Sequence, residues 1–128
     1  MASQSSQVCR IVATDDDPVL LARIVTVLRD AGHCVFAAYD ADSAFELSLL
    51  IPDLQLLITN TRLGTESART LIRRVRREKP GLPILHVGDP LPDPEGLLKD
   101  VPSLLEPFTA SELLAVVTPL LQGPGNAS

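Results

Sequence analysis

The feature that most constrains this chain is an alternation of short, continuously apolar runs with longer segments of helical period. The runs are residues 8–13, 34–38, 54–59, 83–87 and 103–105. Between them, apolar residues recur three and four positions apart. Leu20, Leu21, Ile24, Val27 and Leu28 form one such stripe, and Ala44, Phe45, Leu47 and Leu50 a second. Ala68, Leu71, Ile72 and Val75 form a third, and Leu113, Leu114, Val116, Val117 and Leu120 a last. Strands that are apolar throughout must be covered on both faces, and intervening helices supply the cover. The pattern predicts an α/β domain with a doubly wound, five-stranded parallel sheet.

Punctuation along the chain agrees. Asp17 and Pro18 suit the N-cap and first turn of a helix, and Gly32 suits its end. Asp40 or Asp42 starts the second helix and Pro52 stops it. A third helix is expected after Gly64, running to about Glu78 before Pro80 and Gly81. Asp53 is expected to start the third strand, and Thr109 to cap the last helix. The segment Asp89-Pro90-Leu91-Pro92-Asp93-Pro94-Glu95 carries three prolines at alternate positions. Each proline fixes φ and disfavours helix at the residue before it. An extended loop followed by a shortened fourth helix, a turn or so within 95–100, is expected there.

At 128 residues the chain suits one domain, 8–122, between a disordered stretch 1–7 and a flexible tail 123–128. With three Phe, one Tyr and no Trp, the core must be aliphatic. The net charge of −5 argues against nucleic-acid binding. No apolar run approaches the ~18 residues of a membrane span, and the N-terminus lacks a signal-peptide core, so a cytoplasmic protein is expected. Cys9 and Cys34 have no partners at metal-binding spacing and read as small buried hydrophobes.

In doubly wound sheets, ligands bind at the carboxyl ends of the strands. Two polar clusters fall there. Thr14-Asp15-Asp16-Asp17-Pro18 closes the first strand and Thr59-Asn60-Thr61-Arg62-Leu63 the third. The first presents adjacent carboxylates, the second an amide.

These two clusters, with Pro83-Ile84-Leu85-His86-Val87-Gly88 and Leu104-Leu105-Glu106-Pro107-Phe108, resemble in order and spacing the receiver domains of bacterial response regulators, the CheY-like family. The resemblance covers residues 8–121 and implies a flavodoxin-like (βα)5 fold. In that family an acid pair binds Mg²⁺ and a third Asp accepts a phosphoryl group from a histidine kinase. A Thr or Ser and a Lys contact the phosphoryl oxygens, and an aromatic residue of the fifth strand moves with the hydroxyl. Here only the acid pair, Asp15 and Asp16, is kept. Asn60 stands at the acceptor position, Gly88 at the hydroxyl, Glu106 at the lysine and Ser103 at the aromatic.

A neutral amide oxygen is a far poorer nucleophile than a carboxylate. Glu106 reverses the charge that would neutralise phosphate. The resemblance thus implies a degenerate receiver that is not an enzyme and signals by contact. Expected partners are a histidine kinase, a phosphotransfer protein, another response regulator or a second copy, with no nucleic acid or membrane. The alternative is a phosphorylatable receiver using Asp15, Asp16 or a deamidated Asn60. A phosphohydrolase on this fold class lacks its aspartyl nucleophile.

Asp15, Asp16 and Glu106 leave the pocket without a matched cation. Two carboxylates ~6 Å apart repel by roughly 3 kcal/mol at an effective dielectric near 20. Relief is expected from a raised carboxyl pKa, from Arg62 or another basic side chain, or from a divalent cation. For a cation, Asp16, the Asn60 side-chain oxygen and the Arg62 carbonyl are the family-matched ligands, suiting Mg²⁺ or Ca²⁺. Elsewhere, Arg69, Arg73, Arg74, Arg76, Arg77 and Lys79 concentrate six of eleven basic residues on one helix. They read as a solvated face, or as a docking surface for an acidic partner. His86 reads as a buried, hydrogen-bonded histidine, and no Ser/His or Cys/His constellation is evident.

Overall fold

The computed structural model describes residues 8–63, 66–90, 93 and 96–122, the side chains of 62 and 66 aside. The expected disordered N-terminus, the expected tail and most of the proline-rich loop lie outside these residues.

Strands β1 (Arg10–Thr14), β2 (Cys34–Ala38) and β3 (Leu54–Asn60) alternate with helices α1 (Pro18–Asp30) and α2 (Ala41–Leu50). A two-residue antiparallel pair, β4 (Arg62–Leu63) and β5 (Glu66–Ser67), leads into α3 (Ala68–Glu78). Then come β6 (Ile84–Val87), β7 (Ser103–Leu104) and α4 (Ala110–Gln122). The five long-range strands form one parallel sheet in the order β2-β1-β3-β6-β7.

Helices cover both faces. On one, Leu21, Ile24 and Leu28 of α1 and Leu113 and Val117 of α4 pack on Ile11, Ile58 and Leu85. On the other, Ala41 and Ala44 of α2 and Leu71, Ile72 and Val75 of α3 pack on Val12, Leu57 and Ile84. Alternate strand residues feed opposite cores because the side-chain period is two. The same parity settles the cysteines. Arg10 faces Cys34 in register, so Cys9 and Cys34 point to opposite faces and both are free.

Local chemistry explains the boundaries. Asp17 accepts from the backbone N–H groups of Val19 and Leu20, and Pro18 fills the first turn. After α1, Gly32 at φ 97° lets its own N–H reach the Arg29 carbonyl and the His33 N–H reach that of Leu28, a Schellman closure. Asp40, not Asp42, caps α2 through the Ser43 N–H. Thr109 and Glu112 exchange backbone bonds at the start of α4, a capping box. Asp53 does not open β3. It sits at φ 58°, in the left-handed region that Asp tolerates better than most residues, and β3 begins at Leu54.

The fourth helix is reduced to turns closed by Lys99 N–H to Gly96 and Val101 N–H to Leu98. The helix after Gly64 begins only at Ala68, because β4 and β5 take up the preceding residues. β2 is an outer strand. Its Cys34 N–H faces β1, so the Val35 carbonyl, one residue on, faces the open side, where Arg29 donates to it at 2.8 Å.

Candidate functional site

Strand order reverses between β1 and β3, which opens a crevice at their carboxyl ends. Asp15, just past β1, and Asn60, the last residue of β3, meet there. The Asn60 Nδ2 donates to Asp15 Oδ2 at 2.7 Å and to Glu106 Oε2 at 3.2 Å. One carboxamide thus spends both N–H hydrogens on two carboxylates. Its Oδ1 accepts from the Thr61 backbone N–H. This network fixes the orientation of the amide, since the reverse placement would aim an oxygen at two acids.

Asp15 is 1% exposed. Its Oδ1 accepts from the Asp17 N–H at 2.9 Å. Burial raises its pKa above the usual aspartate value. The bonds from Asp17 and Asn60 oppose that rise, and the charges of Asp16 and Asp17 add to it. Glu106 follows β7, and its peptide to Pro107 is cis. Its pKa is also raised, chiefly by desolvation and then by the Asp15 charge. Bridging by the amide relieves the acid pocket, and the raised pKa values show burial together with the same crowding of carboxylates.

Gly88 is shaped to this arrangement. At φ +117°, a Cβ on it would lie 2.7 Å from Asn60 Oδ1 and 3.2 Å from Thr61 Oγ1. The space of the expected hydroxyl-bearing side chain is filled by the Asn60 carboxamide.

Beneath the pocket lies a second polar chain. His86, on β6, is 1% exposed. Its Nε2 lies 2.7 Å from Thr61 Oγ1, and its Nδ1 lies 3.2 Å from Ser103 Oγ on β7. The Thr61 hydroxyl donates to the Asp89 carbonyl. Having spent its one hydrogen, it must accept from Nε2–H. Nδ1 is then the acceptor and Ser103 the donor. Burial lowers the His86 pKa, a drop that the Asp89 charge opposes, so burial favours the neutral ring.

The structure thus brings Asn60, Asp15, Glu106 and Gly88 together. Asp16 is exposed at the rim beside them. Ser103 is exposed on the sheet edge and reaches this group only through His86 and Thr61. The Arg62 side chain lies outside the described atoms. The Ser103–His86–Thr61 alignment escaped the sequence reading, because its members sit 17 and 25 positions apart. Only the parallel register that sets His86 opposite Ser103 and Thr59 reveals it.

The donor set fits a cation poorly. The Asn60 oxygen is turned to the Thr61 N–H and the amide N–H groups face the carboxylates, so Asn60 can join Asp16 and the Arg62 carbonyl as a ligand only with its carboxamide turned over. Among the described residues, no three or more His, Cys, Asp or Glu side chains are grouped to hold a metal ion. Three arginines of the basic helix are held in ion pairs. Arg74 pairs with Asp42 at 2.8 Å, Arg76 with Asp100 at 3.1 Å and Arg69 with Asp93 at 3.4 Å.

No family model matches the sequence, and no curated protein sequence does. Solved structures do match in fold. The chain superposes on chemotaxis protein CheY4 of Vibrio cholerae with a TM-score of 0.80 at 20% identity, covering 89% of this chain and 99% of that one. A CheY-like receiver domain protein of Methanospirillum hungatei gives 0.82 at 18% identity, over 91% and 95%. A response regulator receiver protein of Sinorhizobium medicae gives 0.79 at 26% identity, over 92% and 98%. At these identities the likeness is one of fold: a five-stranded CheY-like sheet flanked by helices.

Proposed function

We propose that this chain is a pseudo-receiver of two-component signalling, a cytoplasmic, non-enzymatic module that works by binding rather than by accepting a phosphoryl group. The receiver-type fold supports the pathway class. The single observation that carries the finer reading is the Asn60 carboxamide bridging Asp15 and Glu106.

Three arguments support it. An amide nitrogen occupies the side of residue 60 that faces the acids, and it has no lone pair to offer phosphorus. An incoming phosphoryl group would meet the Glu106 carboxylate where a cation would be needed. A side chain at Gly88 that could hydrogen-bond a phosphoryl oxygen is excluded by Asn60 itself. The partner is a histidine kinase, a phosphotransfer protein, another response regulator or a second copy of the chain.

Incubation with acetyl phosphate, or with a phosphorylated histidine kinase, tests this by intact mass. The expected result is no phosphoryl adduct, with one of the same proteins still captured in a binding assay. Rapid, full phosphorylation of the unmodified chain overturns the reading.

A further inference from the structure

We infer that His86 is a two-position coupling residue, whose tautomer links the exposed edge strand β7 to the acid pocket. The link is a run of hydrogen bonds from Ser103 to the Asp89 carbonyl, joined to the pocket through the backbone of Thr61. Ser103 Oγ, exposed on the last strand of the sheet, donates to His86 Nδ1. His86 Nε2–H donates to Thr61 Oγ1, and the Thr61 hydroxyl donates to the Asp89 carbonyl. The Thr61 backbone N–H then holds Asn60 Oδ1, whose amide holds both carboxylates. The hydrogen-bonded run begins at solvent on β7 and ends at the Asp89 carbonyl, and Thr61 sets it beside Asn60 and the buried Asp15.

Such a run has two self-consistent settings, because each hydroxyl both gives and takes. In the one that the Thr61–Asp89 bond implies, every donor from Ser103 to Asp89 points the same way along the run. In the other, the ring carries its proton on Nδ1 and donates to Ser103. Nε2 then accepts from the Thr61 hydroxyl, which leaves the Asp89 carbonyl. Proton count is unchanged: one leaves Nε2 as one enters Nδ1. Both settings keep His86 neutral, as its burial demands.

They differ only in what the two ends offer. In the second setting the Ser103 hydroxyl is free to donate outward and the Asp89 carbonyl loses its partner, next to Gly88, where no side chain buffers the change. A hydrogen-bond acceptor brought against Ser103 therefore favours the second setting and loosens residues 88–89 beside Asn60. A pair of tautomers of this kind supplies the two-state element that coupling requires. It does not depend on whether the pocket accepts phosphate.

Nitrogen-15 NMR of the imidazole in the full chain tests it. The unmodified protein is expected to carry the His86 proton on Nε2. Ser103→Asp, which places an acceptor against Nδ1, is expected to move that proton to Nδ1 and to shift the amides of Thr61, Gly88 and Asp89. In a Thr61→Val background, the amide shift of Asp89 is expected to vanish while the ring still responds. His86→Phe is expected to confine the effect of residue 103 to β7. Retention of the proton on Nε2 in Ser103→Asp overturns the proposal, and so does an Asp89 response that persists without the Thr61 hydroxyl. Thr61→Val keeps the test decisive should His86→Phe fail to fold.

Discussion

The Asn60 carboxamide bonds to three neighbours at once, Asp15, Glu106 and the Thr61 backbone. The Nδ2 group satisfies two carboxylates that would otherwise repel across the crevice. Asn60→Asp is therefore expected to lower stability by about 2–3 kcal/mol in metal-free buffer, from two lost bonds and a third facing charge. Millimolar Mg²⁺ should recover part of this; thermal melts with and without the ion measure both effects, and equal melting of variant and parent refutes them. Gly88 answers to the same side chain. Gly88→Ala is expected to cost about 1–3 kcal/mol, from overpacking against Oδ1 and a backbone angle that L residues avoid. Asn60→Ala should return the packing share of that cost but not the backbone share, so a double-mutant cycle reads the coupling. At this scale the sequence revealed the identities of the pocket residues but not their interdependence. That Asn60 occupies the room of a side chain at Gly88 follows from a distance, and spacing along the chain cannot supply it.

Elements were the most legible level. The runs at 34–38 and 54–59 and the helix opening at Pro18 emerge where apolar period and capping chemistry agree. The misjudged places are those where period is short or weak. β4 and β5 are two residues each, too short for any alternation to register, and they delay α3 to Ala68. Asp53 was read by its chain neighbours, whereas its left-handed conformation is set by the turn from α2 into β3. The α3 arginines read as a solvated face or a docking surface, and the pairing of three of them was hidden because Asp42, Asp93 and Asp100 come from elsewhere in the chain. The capping box of α4 offers a clean test of element energetics. Thr109→Ala removes the hydroxyl that accepts from the Glu112 N–H, and it is expected to cost about 1 kcal/mol in urea unfolding. An unchanged midpoint would show that packing of Leu113 and Val117 alone sets the start of the helix.

For the whole molecule, stability should respond to pH through groups that burial holds away from their ordinary titration. The lowered pKa of His86 means that the unfolded chain takes up a proton near 6.5 that the fold refuses. Its stabilising contribution is full above that value and is lost as pH falls through the lowered one. His33 acts in the same direction. Asp15 and Glu106 act oppositely. Their raised values mean that the fold keeps protons the unfolded chain has released above 3.8 and 4.5, so they favour the fold increasingly as pH falls toward those values. Acidification from pH 8 is thus expected to lower the melting temperature first near 6.5, with a gentler slope toward pH 5. His86→Gln should shrink the first drop and leave the remainder due to His33; an unaltered profile would contradict this account. A last consequence concerns the outer flank of the sheet, where strands without neighbours invite copies of themselves. The Arg29 guanidinium resting on the Val35 carbonyl occupies an acceptor that another chain would need for docking. Arg29→Ala is expected to make sedimentation depend more steeply on concentration than in the parent, and identical profiles for the two would show that the flank needs no guard.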